Sequence, residues 1–524
     1  MFIETLHIVP AGPSRKNSTV VYSTCKYPFH VRSYLIMEQA LWMTLSKGTL
    51  CAYDRNSIIF RSNDRAILPV TTNERPKNLT MRTCKLSHIT LFLAVFLITT
   101  SGPLALAQKA DSKTTISTAA NKVEPKVITW RRDIHEHPEL GNRELRTAAL
   151  VAKHLQSLRI EVTTNVAVTG VVGILKGGQP GPVVALRADM DALPVLEKTG
   201  LPFASKVKAE YNGQESNVMH ACGHDSHVAI LMGVAEILSG MKKDLKGTVK
   251  FIFQPAEEGA PKGEDGGAEL MVKEGVLENP KVDVIFGLHI NAQLEVGKIT
   301  YRPGGMFAGV GDLKITVKGR PSHGAEPWSS VDPIVVSAQI INSLQTVVSR
   351  NLNITNNAGV VTIGAIHGGN RGNIISEQVE MLGTVRTFSN EDEKLVFDRI
   401  RLITEKTAEA AGAVAIVELP YSTHYPVTAN DVALTNAMLP SLQKSAGKEN
   451  VILVPAETGS EDFSFFAQKV PGLYFYIGGL PKGKDSKTSA SHHTPEFFID
   501  ESGFRTGLNA LSNLVIDYMA MNKK

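Results

Sequence analysis

Between Met219 and His227 the chain reads Met-His-Ala-Cys-Gly-His-Asp-Ser-His, so three histidines, a cysteine and an aspartate fall within nine residues. Thiolate, imidazole and carboxylate are the groups that bind borderline transition metals. Of the four cysteines, Cys25, Cys51 and Cys84 lie in an N-terminal leader, which leaves Cys222 as the lone thiol of the remaining chain. A lone cysteine cannot close an internal disulfide, and this one sits between histidines at ligand spacing. The stretch is a candidate metal site.

Such a cluster has to be held by regular elements. From Ser226 to Met241 the residues Ile230, Val234, Ile237 and Met241 recur on one helical face. Lys126 to His137 and Arg143 to Leu158 also read as helices. Pro182–Arg187, Thr248–Phe253, Val282–Phe286 and Leu473–Ile477 are short apolar runs of strand character. Strands alternating with helices predict an α/β fold with a mainly parallel sheet, and ligands in such sheets gather beyond the carboxyl ends of the strands. Asp189 and Asp191, then Glu257 and Glu258, then His289 each follow one of these runs, so one site can collect them all.

From Phe307 to Leu419 the rhythm changes. Strands at Leu313–Val317, Val360–Ile366, Gln378–Phe388 and Val414–Leu419 alternate with helices at Asp332–Asn351 and Asn390–Ala411. The order βαββαβ is ferredoxin-like and can fold alone. It predicts an inserted α+β domain at 307–419, between two catalytic parts at 108–306 and 420–524.

Five motifs in order, MHACGHDSH, ALRADMDALPV (185–195), FQPAEEG (253–259), GLHI (287–290) and HHTPEF (492–497), resemble the metal-dependent amidohydrolases. That family takes in aminoacylases, hippurate hydrolases and plant auxin-conjugate (IAA-amino acid) hydrolases. The resemblance runs from about Val127 to the end of the chain. It implies a zinc-peptidase-like catalytic domain with two divalent ions and a smaller dimerisation or lid domain. Carried over, the ligands are Cys222, His224, Glu258, His289 and His493. Cys222, close to a helix start, is expected to ionise readily. Neighbouring side chains on extended backbone point apart, so Glu257 and Glu258 can divide their work; the resemblance makes Glu257 the general base and Glu258 a ligand. His493, directly before Thr494-Pro495, is preferred over His492 as the ligand. Asp189 and Asp191 support ligands from behind, and His135 and His137 read as packing or surface histidines. In the inserted domain, His323 resembles the histidine that holds the reacting carbonyl oxygen in the partner subunit's site. The Pro321-Ser322 before it departs from the family's Gly-Gly. Asn373 and Arg386 resemble the groups that hold the substrate's carboxylate, a task suited to the arginine fork. Glu461 and Asp462 fall where the family lines its pocket, without an assigned role.

At the N-terminus, Met81-Arg82-Thr83-Cys84-Lys85 precedes an apolar stretch from Ile89 to Thr100 and a small-residue cleavage pattern at Ala105-Leu106-Ala107. This is the form of a secretory signal, too short for a membrane span of about 20 residues. It predicts residues 1–80 as an over-extension of the gene model, 81–107 as a signal peptide, and a periplasmic or secreted protein starting near Gln108 with a polar, flexible stretch to about Asn121. The leader carries 12 basic and 5 acidic residues against 43 and 46 in the remainder, so the leader is +7 and the remainder −3, and the positive balance of the chain comes from the leader. No nucleic-acid surface or polybasic membrane patch is expected beyond it, and no stable membrane partner. The His-x-Glu and Pro-Cys-x-x-Cys pattern of zinc deaminases is missing, which excludes that chemistry.

The reading is a dinuclear metal-dependent homodimer that cleaves the amide of N-acyl amino acids, its two divalent ions per subunit being manganese, zinc, cobalt or nickel. A dipeptidase or carboxypeptidase using the same site is the alternative. A non-catalytic binding protein on this fold is another, and the intact Glu257 argues against it.

Overall fold

The computed structural model describes residues 41–45, 49–54, 57–61 and 112–522. The chain forms two units, 1–105 and 106–524. In the first, Leu41–Leu45, Thr49–Asp54 and Ser57–Arg61 pair as an antiparallel three-stranded sheet. The predicted signal segment 81–107 lies outside the described residues.

The second unit is built on an eight-stranded sheet. Its four central strands, Gly472–Leu480, Val284–Glu295, Gln179–Asp189 and Lys246–Gln254, run parallel in that order. Their residues are buried almost continuously, as expected for strands covered on both faces. The sheet is mainly parallel as expected, with antiparallel pairings added towards its flanks. An antiparallel hairpin, Glu161–Val166 and Gly170–Lys176, extends one side, and Ile299–Tyr301 joins the other antiparallel to Gly472–Leu480. The outer strand of the hairpin is largely solvent-facing, so it lacks the apolar run that marks a buried strand.

The stretch expected to be flexible is also different. A helix runs from Ser112 to Glu136, and Ile116, Ala120, Val123 and Val127 along one face are buried. It packs against the helix His224–Gly240, where a Cβ on Gly233 would meet a Val127 methyl at 2.7 Å. The serines and threonines between these apolar positions conceal the helical period.

Residues 309–418 build a separate antiparallel sheet with the strand order 359–368, 378–387, 309–318, 414–418. The helices Pro333–Thr346 and Asn390–Ala410 belong to the same stretch. Leu313, Ile315, Val317, Ile340 and Ile400 form part of its own apolar core. His424–Tyr425 adds a short strand on the way back to the large sheet. Among the described residues, no helix is long and apolar enough to cross a membrane.

Candidate metal centre

Cys222 and His224 flank Gly223 at the start of the helix His224–Gly240. Gly223 has a φ of 96°, a left-handed conformation that favours glycine. A Cβ there would lie 2.6 Å from an Ile290 methyl, so the turn admits no side chain. Glu257 and Glu258 follow the strand Lys246–Gln254 through Ala256, itself at φ 50°. His289 lies inside the long strand Val284–Glu295, not after it. His493 also takes a left-handed φ, 63°, and is pinned there by its backbone N–H donating to Ala221 O at 2.8 Å.

These elements bring the five expected ligands together. Cys222 Sγ lies 3.3 Å from His289 Nε2 and 3.4 Å from His493 Nε2. His493 Nε2 is 2.9 Å from Glu258 Oε1. His224 Nε2 is buried without a hydrogen-bond partner and stands 3.8 Å from Glu257 Oε2. Two sets of donor atoms, Cys222–Glu258–His493 and His224–Glu257–Glu258, are each mutually within 4.8 Å and share Glu258.

The back sides of the rings are spoken for. His224 Nδ1 faces Asp191, 3.1 Å from Oδ1 and 2.9 Å from the backbone carbonyl. His289 Nδ1 lies 2.6 Å from the Ile290 carbonyl. A nitrogen facing an acceptor carries a proton, which leaves each Nε2 as the atom directed inward, the orientation of metal-binding histidines. Asp191 also accepts the Glu258 backbone N–H at 2.9 Å and so orients two of the five groups.

His492 and His227 are used differently. His492 Nε2 accepts the Ala292 N–H at 3.1 Å and its Nδ1 donates to Cys222 O at 3.1 Å, so both nitrogens brace backbone. His227 Nε2 accepts the Ile290 N–H at 2.8 Å while Nδ1 donates to Asp189 at 2.5 Å. His135 is buried against Asp225 and Glu197, and His137 is exposed.

Electrostatics fit a site built for cations. Burial, then the carboxylates of Glu258, Glu257 and Asp189, push the Cys222 thiol well above its ordinary range. This reverses the expectation of ready ionisation, because the helix start is outweighed by desolvation and three anions. A thiolate here requires compensating positive charge, which divalent ions supply. Burial opposes the His224 imidazolium, yet Asp189 and Asp191 outweigh it and raise the group to about 10. Glu257 is pushed well above the usual carboxylate range by burial and then by Glu461, Glu258 and Asp462, with Arg187 opposing.

Arg187 was not singled out by the sequence, although a charged residue inside the apolar run ALRAD was the available signal. Fully buried beneath the site, it contacts Asp189 Oδ2 at 2.6 Å, Asp462 Oδ1 at 2.8 Å and Glu461 Oε1 at 2.9 Å. Gln254 and Tyr474 complete the network. Glu461 and Asp462 thereby acquire a place: they line up behind Glu257, held by one guanidinium. Tyr425, also unforeseen, donates its hydroxyl to the Glu257 carbonyl oxygen at 3.0 Å.

His323, Asn373 and Arg386 are not brought to this cluster within one chain. The exposed His323 lies on the short strand Ser322–His323, which pairs with Ile374–Ile375, and the exposed Asn373 directly precedes that partner strand, with Gly324 N–H donating to Asn373 O at 2.8 Å. Arg386 sits on the strand Gln378–Thr387 and donates to its own neighbours Thr384 and Val385. None of the three lines the cavity at the metal-ligand cluster.

Known proteins share this arrangement of elements. Residues 185–517 match the description of Peptidase family M20/M25/M40. An N-acetylcysteine deacetylase of Bacillus subtilis (strain 168) is 39% identical over 394 residues, covering 75% of this chain and 96% of that protein. The IAA-amino acid hydrolase ILR1-like 2 of Arabidopsis thaliana is 34% identical over 441 residues, covering 83% and 95%. The crystal structure of the Bacillus subtilis YXEP protein, a dinuclear metal binding peptidase from the M20 family, superposes with a TM-score of 0.62 at 35% identity, covering 76% of this chain and 99% of that one. With a family match over most of its length and such relatives spanned almost end to end, the chain belongs to Peptidase family M20/M25/M40 and is an amide-cleaving metal hydrolase.

Proposed function

We propose that the protein hydrolyses N-acyl amino acids to a free acid and an amino acid, with two divalent ions held by Cys222, His224, Glu258, His289 and His493. The observation that carries this reading is the convergence of these five groups beside a buried Glu257. When bound, the ions supply positive charge that polarises the amide carbonyl and makes hydroxide available near neutral pH. Glu257 takes the proton of the attacking water and delivers it to the leaving amine, and its raised proton affinity suits that exchange. Asp191 keeps His224 and the Glu258 backbone in register while this happens.

The test is metal analysis of purified protein together with a screen of acetyl-, benzoyl- and indoleacetyl-amino acids. Chelation is expected to abolish their hydrolysis, and manganese, zinc, cobalt or nickel to restore it. Preference for dipeptides with a free amine over every acyl amino acid would favour the dipeptidase reading instead.

The reading includes a homodimer, in which His323 serves the partner's site, while Asn373 and Arg386 hold the substrate's carboxylate. In support, the strand Gly359–Gly368 is paired on one side only, leaving an open sheet edge. It also includes export. Cleavage after Ala107 would leave the helix that starts at Ser112 whole. N-terminal mass spectrometry of exported protein is expected to find a start near Gln108, and mature peptides from residues 1–80 would refute it.

A further inference from the structure

The cavity at the metal-ligand cluster encloses about 530 Å³. Four carboxylates line it, those of Glu257, Glu258, Glu457 and Glu461, and among the described residues no lysine or arginine does. Three of these are accounted for above. Glu457 is not.

Its surroundings form a distinct wall. Tyr476 is the register partner of the ligand His289 on the adjacent parallel strand, with ring centroids 5.5 Å apart. Phe307 meets Tyr476 edge to face, 5.4 Å between centroids. The two rings make an apolar face beside His289, and the Tyr476 hydroxyl donates to Glu457 Oε2 at 3.2 Å. Glu457 lies outside any regular element, yet its backbone is anchored at both ends. Its N–H donates to Met306 O at 2.9 Å and its carbonyl accepts from Ala308 N–H at 3.0 Å. Among the described residues, Glu457 Oε1 has no hydrogen-bond partner. The wall therefore offers two aromatic faces ending in a solvent-exposed carboxylate on an anchored backbone, one of whose oxygens accepts from Tyr476.

We propose that Glu457 is a specificity-determining residue that selects a flat acyl group carrying an N–H or O–H donor at its far end. The inference rests on the N-acyl amino acid reading above. An ionised carboxylate only accepts hydrogen bonds, so a donor gains against it and an acceptor does not. The same charge repels the free carboxylate carried by the amino-acid half of such a substrate. The amino-acid half turns away from Glu457, and the acyl half lies along Phe307 and Tyr476. Flatness follows from the two rings, which favour stacked or edge-on aromatic contacts.

The test compares kcat/KM of the metal-loaded enzyme on N-(4-hydroxybenzoyl)glycine and N-benzoylglycine, which differ by one donor. A hydrogen bond to a charged group predicts a preference for the hydroxylated substrate of roughly ten- to a hundredfold. Glu457→Ala is expected to bring that ratio near unity. Tyr476→Phe, which keeps the carboxylate and removes its tether, is expected to retain part of it. Glu457→Arg should instead favour N-(4-carboxybenzoyl)glycine over the hydroxylated substrate. Cleavage of both substrates at equal rates by the unaltered enzyme, or a ratio unmoved in Glu457→Ala, overturns the assignment and leaves the N-acyl reading standing. Cleavage of neither, alongside cleavage of free-amine dipeptides, overturns that reading and the assignment with it.

Discussion

Glu257→Gln is expected to keep the bound metal and to lower turnover roughly 10²–10⁴-fold, whereas Cys222→Ala and His289→Ala are expected to lose metal. The two outcomes separate because a base acts only as the proton moves, while a ligand is needed for the ion itself. Glu257 is buried beside Glu461, Glu258 and Asp462, which raise its affinity for a proton. An amide of the same shape keeps the packing and forfeits the proton exchange. Cys222 and His289, 3.3 Å apart at the centre of the cluster, have no such substitute. Metal content by elemental analysis, read beside steady-state rates, decides the matter. Loss of metal from Glu257→Gln with a near-normal rate at saturating metal would mean that the two adjacent glutamates had been assigned backwards.

His323→Ala is expected to lower turnover roughly 10²–10³-fold, the cost of removing one donor aimed at a developing oxyanion, with metal content intact. His323 is exposed, and its Nδ1 accepts the Ala325 N–H at 3.0 Å, which leaves Nε2 as the outward donor. Since His323 does not line the cavity of its own chain, the group it serves lies on a second copy in this reading. Mixing His323→Ala with Glu257→Gln tests the arrangement directly. If the histidine acts across subunits, each mixed dimer contains one site with both defects and one with neither, so activity returns. If it acts within its own chain, every site stays broken. Absence of recovery after proven subunit exchange would rule out the shared site.

Much of the centre was legible because its parts are local. Cys222-Gly223-His224, Glu257-Glu258 and the central strands announce themselves by residue type and by apolar runs that only a buried strand sustains. What stayed hidden has no local signature. The helix from Ser112 is recognisable only once Ile116, Ala120 and Val123 meet the helix His224–Gly240. The hairpin at Glu161–Lys176 pairs antiparallel at a solvent-facing flank, where burial does not write a continuous pattern.

By itself the sequence determined which groups were available to hold metal, which strands had to be buried, and that a second βαββαβ sheet interrupts the first. Those are properties of residue chemistry and of periods of two and 3.6, which short stretches carry alone. Tertiary structure decided the protonation and direction of each ring, through partners as distant as Asp191 for His224 and Ala292 for His492. It decided that Cys222 is harder to ionise, since three carboxylates from other segments surround it. It also joined Arg187 to Glu461 and Asp462, some 275 residues away, beneath Glu257. Electrostatic energy depends on distance in space and on exclusion of water, and neither quantity exists along a chain until it has folded.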